Sequence, residues 1–286
     1  MEFSRWPPRP TRLWPGSDVP PAKRRLGQHF LTDPGILARI ADASGAAVGD
    51  TVLEIGPGPG GLTEALVARG ARIVAIERDP DLIDDLRRRV PTAHVVEGDA
   101  LEIDWHEASG SPDPASWVVT GNIPYNITSP LLERALTPPI ARIVVFLVQQ
   151  EMAHRLAARP GTRDWGALTV GITAVARVEK LFTVRAGAFK PPPKVDSALI
   201  RLTPLAAPLI PVARAAAFRR FVTGIFGFRR KQLGRGLREL TGWPAERVLV
   251  PLARAGLEPS LRPEQVDTAG MAKLFGEVVD AGWRSE

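Results

Sequence analysis

From Thr51 onward the sequence repeats one unit: a short apolar run, a break, then a stretch with helical spacing. TVLEI (51–55) leads through a Gly/Pro loop into LTEALVAR, a helix that Gly70 would terminate. RIVAIE (72–77) leads into DLIDDLRRRV, and HVVEGD, WVVT and ARIVVFLVQ supply further strand-like runs. Strands that are almost wholly apolar are covered on both faces, and strands separated by helices are joined by crossovers rather than hairpins. The pattern therefore predicts an α/β domain, a parallel sheet with helices on both sides. LFTVRAGAFKPPPKVDSALIRLTP then reads as two strands around a Pro-rich loop, an antiparallel hairpin at the sheet edge.

The flanks differ. Residues 1–22 hold Pro7, Pro8, Pro10, Pro15, Pro20 and Pro21 without helical or strand period, and a disordered tail is expected. Arg5, Arg9 and Arg12 would suit a transit peptide, but those prolines oppose the amphipathic helix it needs. After Pro204 strand signals stop and an arginine-rich helical region begins. The expected division is a tail (1–22), an α/β domain (23–204) and a small all-helical domain (205–286).

Several chemistries are disfavoured at once. The chain has no cysteine, which removes disulfides, thiolate nucleophiles and thiolate metal ligands. Its histidines, His29, His94, His106 and His154, lack ligand-like spacing, so no metal is expected. No apolar stretch reaches membrane-spanning length, and a cytoplasmic setting is expected. The net charge of +6 means less than its distribution. Arg214, Arg219, Arg220, Arg229, Arg230, Lys231, Arg235 and Arg238 crowd one segment, opposed by Glu239, and Lys23, Arg24 and Arg25 form a second group. Solvated basic faces would account for both, but contact with nucleic-acid phosphates accounts for their clustering better.

The strand ends carry the chemistry. In EIGPGPGGLT, Gly56, Gly58 and Gly61 have the G-x-G-x-x-G spacing that lets backbone amides approach a ligand, and Glu77 follows at the distance expected of a ribose-binding acid. That loop alone fits NAD and S-adenosylmethionine equally. Asp99 ends the third strand, placed to accept from an adenine amino group or merely to cap a helix. The fourth strand runs out into Asn122-Ile123-Pro124-Tyr125. An exocyclic amine is a poor nucleophile because its lone pair is delocalised, and two acceptors holding its hydrogens aim that pair. The Asn122 side-chain oxygen and the Ile123 carbonyl would be those acceptors, with Pro124 biasing Ile123 to an extended conformation and Tyr125 offering a stacking face. The sequence of strand ends resembles Rossmann-like S-adenosylmethionine-dependent methyltransferases, in which such turns mark methylation of an amino nitrogen.

KRRLGQHFLTDPGIL, LEIGPGPGGLT, EGDAL, GNIPYNITSPLL, FKPPPKVDSALIRL and FRRKQLGRGL, in this order, resemble the rRNA adenine N6,N6-dimethyltransferases over about residues 22–280. The likeness is strongest to the small-subunit branch, which dimethylates two adjacent adenosines in the 3′-terminal hairpin loop during ribosome biogenesis. The resemblance implies S-adenosylmethionine held by His29, Leu31, Gly56, Glu77, Asp99 and Asn122. It also implies that Asn122 orients the target amine, that Tyr125 and Phe189 sandwich the base, and that methyl transfer is direct, without metal or covalent intermediate. Arg229, Arg230, Lys231 and Arg235 would hold RNA, and the enzyme would act as a monomer on the assembling small subunit. His29 departs from the Asn usual in Gln-Asn-Phe-Leu. A large-subunit enzyme of the macrolide-resistance type and a non-catalytic assembly or transcription factor on this fold are the alternatives; an NAD oxidoreductase stands behind them.

Overall fold

The computed structural model describes residues 20–111 and 116–284. Most of the Pro-rich tail therefore lies outside the described residues. A two-residue strand, β1 (Phe30–Leu31), precedes α1 (Pro34–Ala43). The Asp33 side chain caps α1 by accepting from the Ile36 N–H, and Pro34 occupies the first turn, where its missing N–H costs nothing. Leu37, Ile40 and Ala41 are the face of α1 that goes into the core.

The repeating unit then unfolds in order: β2 (Thr51–Ile55), α2 (Gly61–Val67), β3 (Arg72–Glu77), α3 (Pro80–Arg89), β4 (His94–Glu97), α4 (Trp105–Ser109) and β5 (Trp117–Asn122). It continues through α5 (Thr128–Ala135), β6 (Ile143–Gln149), α6 (Gln150–Leu156) and α7 (Ala167–Thr173) to β7 (Ala176–Val184). A second two-residue strand, β8 (Phe189–Lys190), and β9 (Ser197–Pro204) follow.

Seven strands form one sheet in the order β4-β3-β2-β5-β6-β9-β7. The first five are parallel, while β9 runs antiparallel to both β6 and β7. The hairpin expected from the Pro-rich segment is thus present, with β7 as the edge and β9 inside it. Sequence patterning did not anticipate the separate pairing of β1 with β8, in which Leu31 faces Phe189.

From β2 the chain winds outward through β3 and β4, then returns to place β5 on the other side of β2. Helices leaving β2 and β5 therefore diverge, and their carboxyl ends open a crevice between them, the usual ligand position in such sheets. The two strands meet closely there. A Cβ on Gly121 would lie 2.4 Å from the Ile55 carbonyl oxygen, so only glycine lets β5 run in register beside the end of β2.

Beyond Pro204 the described chain is helical: α8 (Ala215–Gly227), α9 (Leu233–Thr241), α10 (Ala245–Ala255) and α11 (Thr268–Asp280). These helices share the sheet's apolar core. One continuous cluster runs from Phe146 and Val148 in β6 through Val170 in α7 to Phe218, Leu237, Leu252 and Phe275. Polar ties cross the same boundary, from Trp165 Nε1 to the Val266 carbonyl at 3.1 Å and between the Thr173 and Thr268 hydroxyls at 2.7 Å. Among the described residues no helix is long and apolar enough to span a membrane.

Candidate active site

The crevice between the ends of β2 and β5 is a cleft of about 1170 Å³, counting its open mouth. Its walls include His29, Leu31, Glu54, Gly56, Glu77, Asp99, Asn122 and Tyr125. Eight residues separated by up to ninety-six positions in the chain thus converge on one space.

The glycine loop forms one wall. Gly56 has φ +65°, and a Cβ built on it meets nothing within 4 Å. A side chain at Gly56 would therefore be both strained and projected into open space beside the loop backbone. Glu77 braces this loop from behind: its carboxylate accepts from the Gly58 N–H at 3.0 Å and from the Asp79 N–H at 2.8 Å. Burial pushes the Glu77 carboxyl above its ordinary range, and the backbone donors of Asp79 and Gly58 pull it partly back. Asp99 divides its duties. One oxygen accepts from the Leu101 N–H at 2.9 Å, capping the turn that follows, and the other pairs with Arg78 at 3.0 Å.

Glu54 was not singled out from sequence. It is 1% exposed in the cleft floor, and its Oε2 has no hydrogen-bond partner among the described residues. Burial pushes its pKa up to about 8, partly offset by the Thr63 hydroxyl, with Glu77 adding a further upward push. The signal was present: TVLEI becomes a strand whose every residue is buried, and a lone glutamate in such a run needs a reason.

The fourth strand end is shaped by alternation. Ile123 is 1% exposed and points into the core, so Asn122 and Pro124 point the other way. Burying Ile123 contributes roughly 1.5–3 kcal/mol toward holding this turn against the sheet. Pro124, at φ −59° and ψ 135°, carries the chain into a short turn over Tyr125–Ile127. Asn122 Nδ2 donates to the His29 carbonyl at 2.8 Å. A carbonyl can only accept, so the amide nitrogen faces His29 and the amide oxygen is left for the cleft. The Tyr125 hydroxyl bonds the Ser197 hydroxyl at 2.7 Å, fixing the ring from the β9 side, and burial raises its pKa.

The segment before β1 covers the cleft. Asp79 is nearly inaccessible yet collects Lys23 Nζ and Gln28 Nε2, while Gln28 Oε1 accepts from the Lys23 N–H. Burial alone would raise the Asp79 pKa, but the Lys23 and Gln28 side chains and the Asp81 N–H hold it below the usual carboxylate value.

The geometry departs from expectation at Phe189. Phe189 is 2% exposed, belongs to the apolar cluster of Leu31 and Leu37, and is absent from the cleft wall. Its backbone pairing with Leu31 turns the ring inward, so it offers no open face to a base in this conformation. His29 directs its side chain toward Tyr125 and the loop after β8: Nδ1–H donates to the Pro191 carbonyl at 2.8 Å, and the ring stacks on Tyr125. The basic helical segment is also thinned. Arg219 is largely buried and faces Glu133 of α5 at 3.8 Å, a packing role rather than a surface one. Arg229, Arg230 and Arg235 are exposed, while Lys231 is half-buried and paired with Glu239 at 2.8 Å.

The sequence model of the ribosomal RNA adenine dimethylase family matches residues 20–262. The chain belongs to the ribosomal RNA adenine dimethylase family. Among members of that family, the ribosomal RNA small subunit methyltransferase A of Pseudomonas aeruginosa is 41% identical over 263 residues, 91% of this chain and 95% of the relative. Its namesake from Myxococcus xanthus is 42% identical over 267 residues, 91% and 93% of the two chains. In three dimensions the chain is similar to a dimethyladenosine transferase from Plasmodium falciparum, with TM-score 0.75, 26% identity and coverage of 89% and 99%. It is also similar to the 23S rRNA methyltransferase ErmE, with TM-score 0.65, 30% identity and coverage of 87% and 99%. In this chain the cleft sits on a Rossmann-like sheet followed by a helical carboxyl-terminal region.

Proposed function

We propose that this enzyme dimethylates N6 of two adjacent adenosines in the 3′-terminal hairpin loop of small-subunit rRNA, with S-adenosylmethionine as donor. The observation that carries this reading is the Asn122 amide, locked by the His29 carbonyl with its oxygen toward the cleft. The curated relatives at 41–42% identity are named for the small subunit, which favours that substrate over the large-subunit alternative.

The cofactor fits the residues present. An open glycine cradle at Gly56, a buried Glu54 oxygen without a partner, and the Glu77 and Asp99 carboxylates offer a cationic, hydroxyl- and amine-bearing nucleoside what it needs. His29 and Leu31 would contribute backbone and apolar contact from the covering segment. When bound, S-adenosylmethionine supplies an activated methyl group. Asn122 Oδ1 and the Ile123 carbonyl hold the two hydrogens of the target amine and turn its lone pair toward the donor. Holding reactants this way is worth roughly 7–11 kcal/mol in well-oriented systems. Tyr125 receives the base, whose extrusion costs least in a hairpin loop. Arg229, Arg230, Lys231 and Arg235 hold flanking phosphates, with Lys231 and Arg235 first giving up Glu239.

Isolated, undermethylated small subunits and large subunits, each incubated with radiolabelled S-adenosylmethionine, test the reading. Label should enter adjacent adenosines of the small-subunit rRNA alone and disappear with Asn122→Ala. Label confined to the large subunit, or none on either, would refute it.

A further inference from the structure

A second groove, of about 1130 Å³ counting its open mouth, lies between α9 and α10 and shares no wall residue with the cleft. From α9 it takes Arg235, Arg238 and Glu239, which fall on one helical stripe, and from α10 Val248 and Leu249. The link between the two helices is Gly242-Trp243-Pro244, and the indole of Trp243 borders the groove at that corner. We infer that this groove is a second RNA subsite, where an unpaired base stacks on Trp243 while Arg235 and Arg238 hold the adjoining phosphates. The inference rests on the rRNA-methylating reading above for its partner, and adds an anchoring point separate from the cleft.

Trp243 is held as a platform. It packs partly on the apolar core, and the Arg247 guanidinium carbon lies 4.0 Å from its ring centre. Arg247 is itself fixed, since its Nη2 donates to the Ala281 carbonyl at 2.8 Å, and it is not part of the groove wall. It therefore backs the indole from the side away from the groove. On the groove side the neighbours are Gly242 and Ala245, too small to cover the ring, and a Cβ on Gly242 would meet nothing within 4 Å. The corner is stiff: Gly242 caps α9 at φ +70°, Pro244 has its φ fixed by its ring, and the Trp243 N–H donates to the Thr241 hydroxyl at 3.3 Å.

Charge sorts the occupant. Val248 is 1% exposed and Leu249 adds an apolar wall, a floor suited to an uncharged ring. Glu239 would repel a phosphate lodged inside, and its own charge is met by Lys231 at 2.8 Å. Phosphates therefore belong on the rim, where Arg235 and Arg238 are exposed and the basic run continues back to Arg229 and Arg230. A bare anion answers only the rim and an apolar peptide only the floor. A nucleotide answers both.

Two short single-stranded RNAs of equal length separate base from phosphate, one carrying its bases and the other abasic spacers. Trp243→Ala should weaken binding of the strand with bases by about fivefold to a hundredfold, the range of base–aromatic stacking. Its affinity for the abasic strand should change by less than about twofold, because that strand has nothing to stack. Arg238→Ala should weaken both strands and reduce the slope of log K against log salt by about 0.7. Trp243→Phe, which keeps a ring, should recover part of what the Ala variant loses. In protein labelled with heavy nitrogen at tryptophan, the indole NMR signal missing from Trp243→Phe identifies Trp243. That signal should move when the strand with bases is added and stay in place with the abasic one. Thermal melts check that each variant is folded, and if Trp243→Ala melts early the indole signal of the unsubstituted protein decides. Equal weakening of the two strands in a folded Trp243→Ala would overturn the inference, leaving a surface for phosphates alone. So would an indole signal that ignores both strands. Small subunits labelled as expected beside an unmoved indole would remove this subsite alone. An indole that moves in a protein inert on both subunits would instead remove the functional reading and leave the subsite.

Discussion

Asn122 Nδ2 donates to the carbonyl of His29, ninety-three residues earlier in the chain, at 2.8 Å. That bond joins the end of β5 to the segment covering the cleft and settles which end of the amide faces the cleft. Asn122→Ala removes both the anchor and the acceptor. Loss of one preorganised polar group in an active site costs about 10²–10³ in kcat, and a drop of that order is expected. Asn122→Asp should be at least as damaging, since an ionised carboxylate faces the His29 carbonyl with no hydrogen to give. Single-turnover methylation of small subunits measures both.

Gly121→Ala should destabilise the fold rather than alter chemistry alone. Its Cβ would lie 2.4 Å from the Ile55 carbonyl oxygen, a backbone atom in the adjoining strand that cannot swing aside. Overpacking of this kind costs typically about 1–3 kcal/mol. Urea unfolding should record a lower midpoint with an unchanged slope.

Glu54→Gln should stabilise the enzyme in a pH-dependent way. The folded-state pKa of Glu54 is raised to about 8 from 4.5, so the native state favours the protonated carboxyl. That preference costs nothing below the unfolded value, and stability is lost progressively as pH rises toward 8. Glutamine mimics the protonated form at every pH. The Tm difference between variant and wild type should be small near pH 4.5, grow through neutrality and level off above pH 8. A difference independent of pH would contradict the assignment.

Asp79→Asn should loosen the covering segment. Lys23 and Gln28 both depend on the Asp79 carboxylate, which is itself held below its ordinary pKa. A depressed carboxylate supports the fold above its unfolded pKa and ceases to do so as acid passes the folded value. Hydrogen exchange of residues 23–31 should quicken in the variant at neutral pH, and in wild type only under acid. Cofactor affinity should fall about tenfold, from the loss of charge-assisted bonds.

Arg229→Ala and Arg230→Ala should weaken RNA binding without touching cofactor affinity. Both side chains are exposed, and each phosphate contact contributes about 0.7–0.9 to the slope of log K against log salt. Arg219→Ala should behave differently, costing stability through its packing against α5. Salt titrations of RNA affinity beside thermal melts separate the two.

The sheet, its parallel strands, the antiparallel hairpin and the strand ends that carry Gly56, Glu77, Asp99 and Asn122 were all legible in residue order, whereas the order of the strands was not. The physical reason is local: apolar runs, helical spacing and glycine turns are set by near neighbours, and crossover connections then leave few arrangements for the strands. Long-range packing decided the rest. Phe189 turned inward because β8 pairs with β1, a two-residue match too short to leave a pattern in sequence. Arg219 left the basic surface because α8 packs on the sheet's own core, and Glu54 kept one oxygen without a partner among the described residues because every residue of its strand is buried. His29 acquired its place only when three distant segments met at Asn122, Tyr125 and Pro191. Residue type determines what a side chain can do, but which partner it meets is a property of the folded chain.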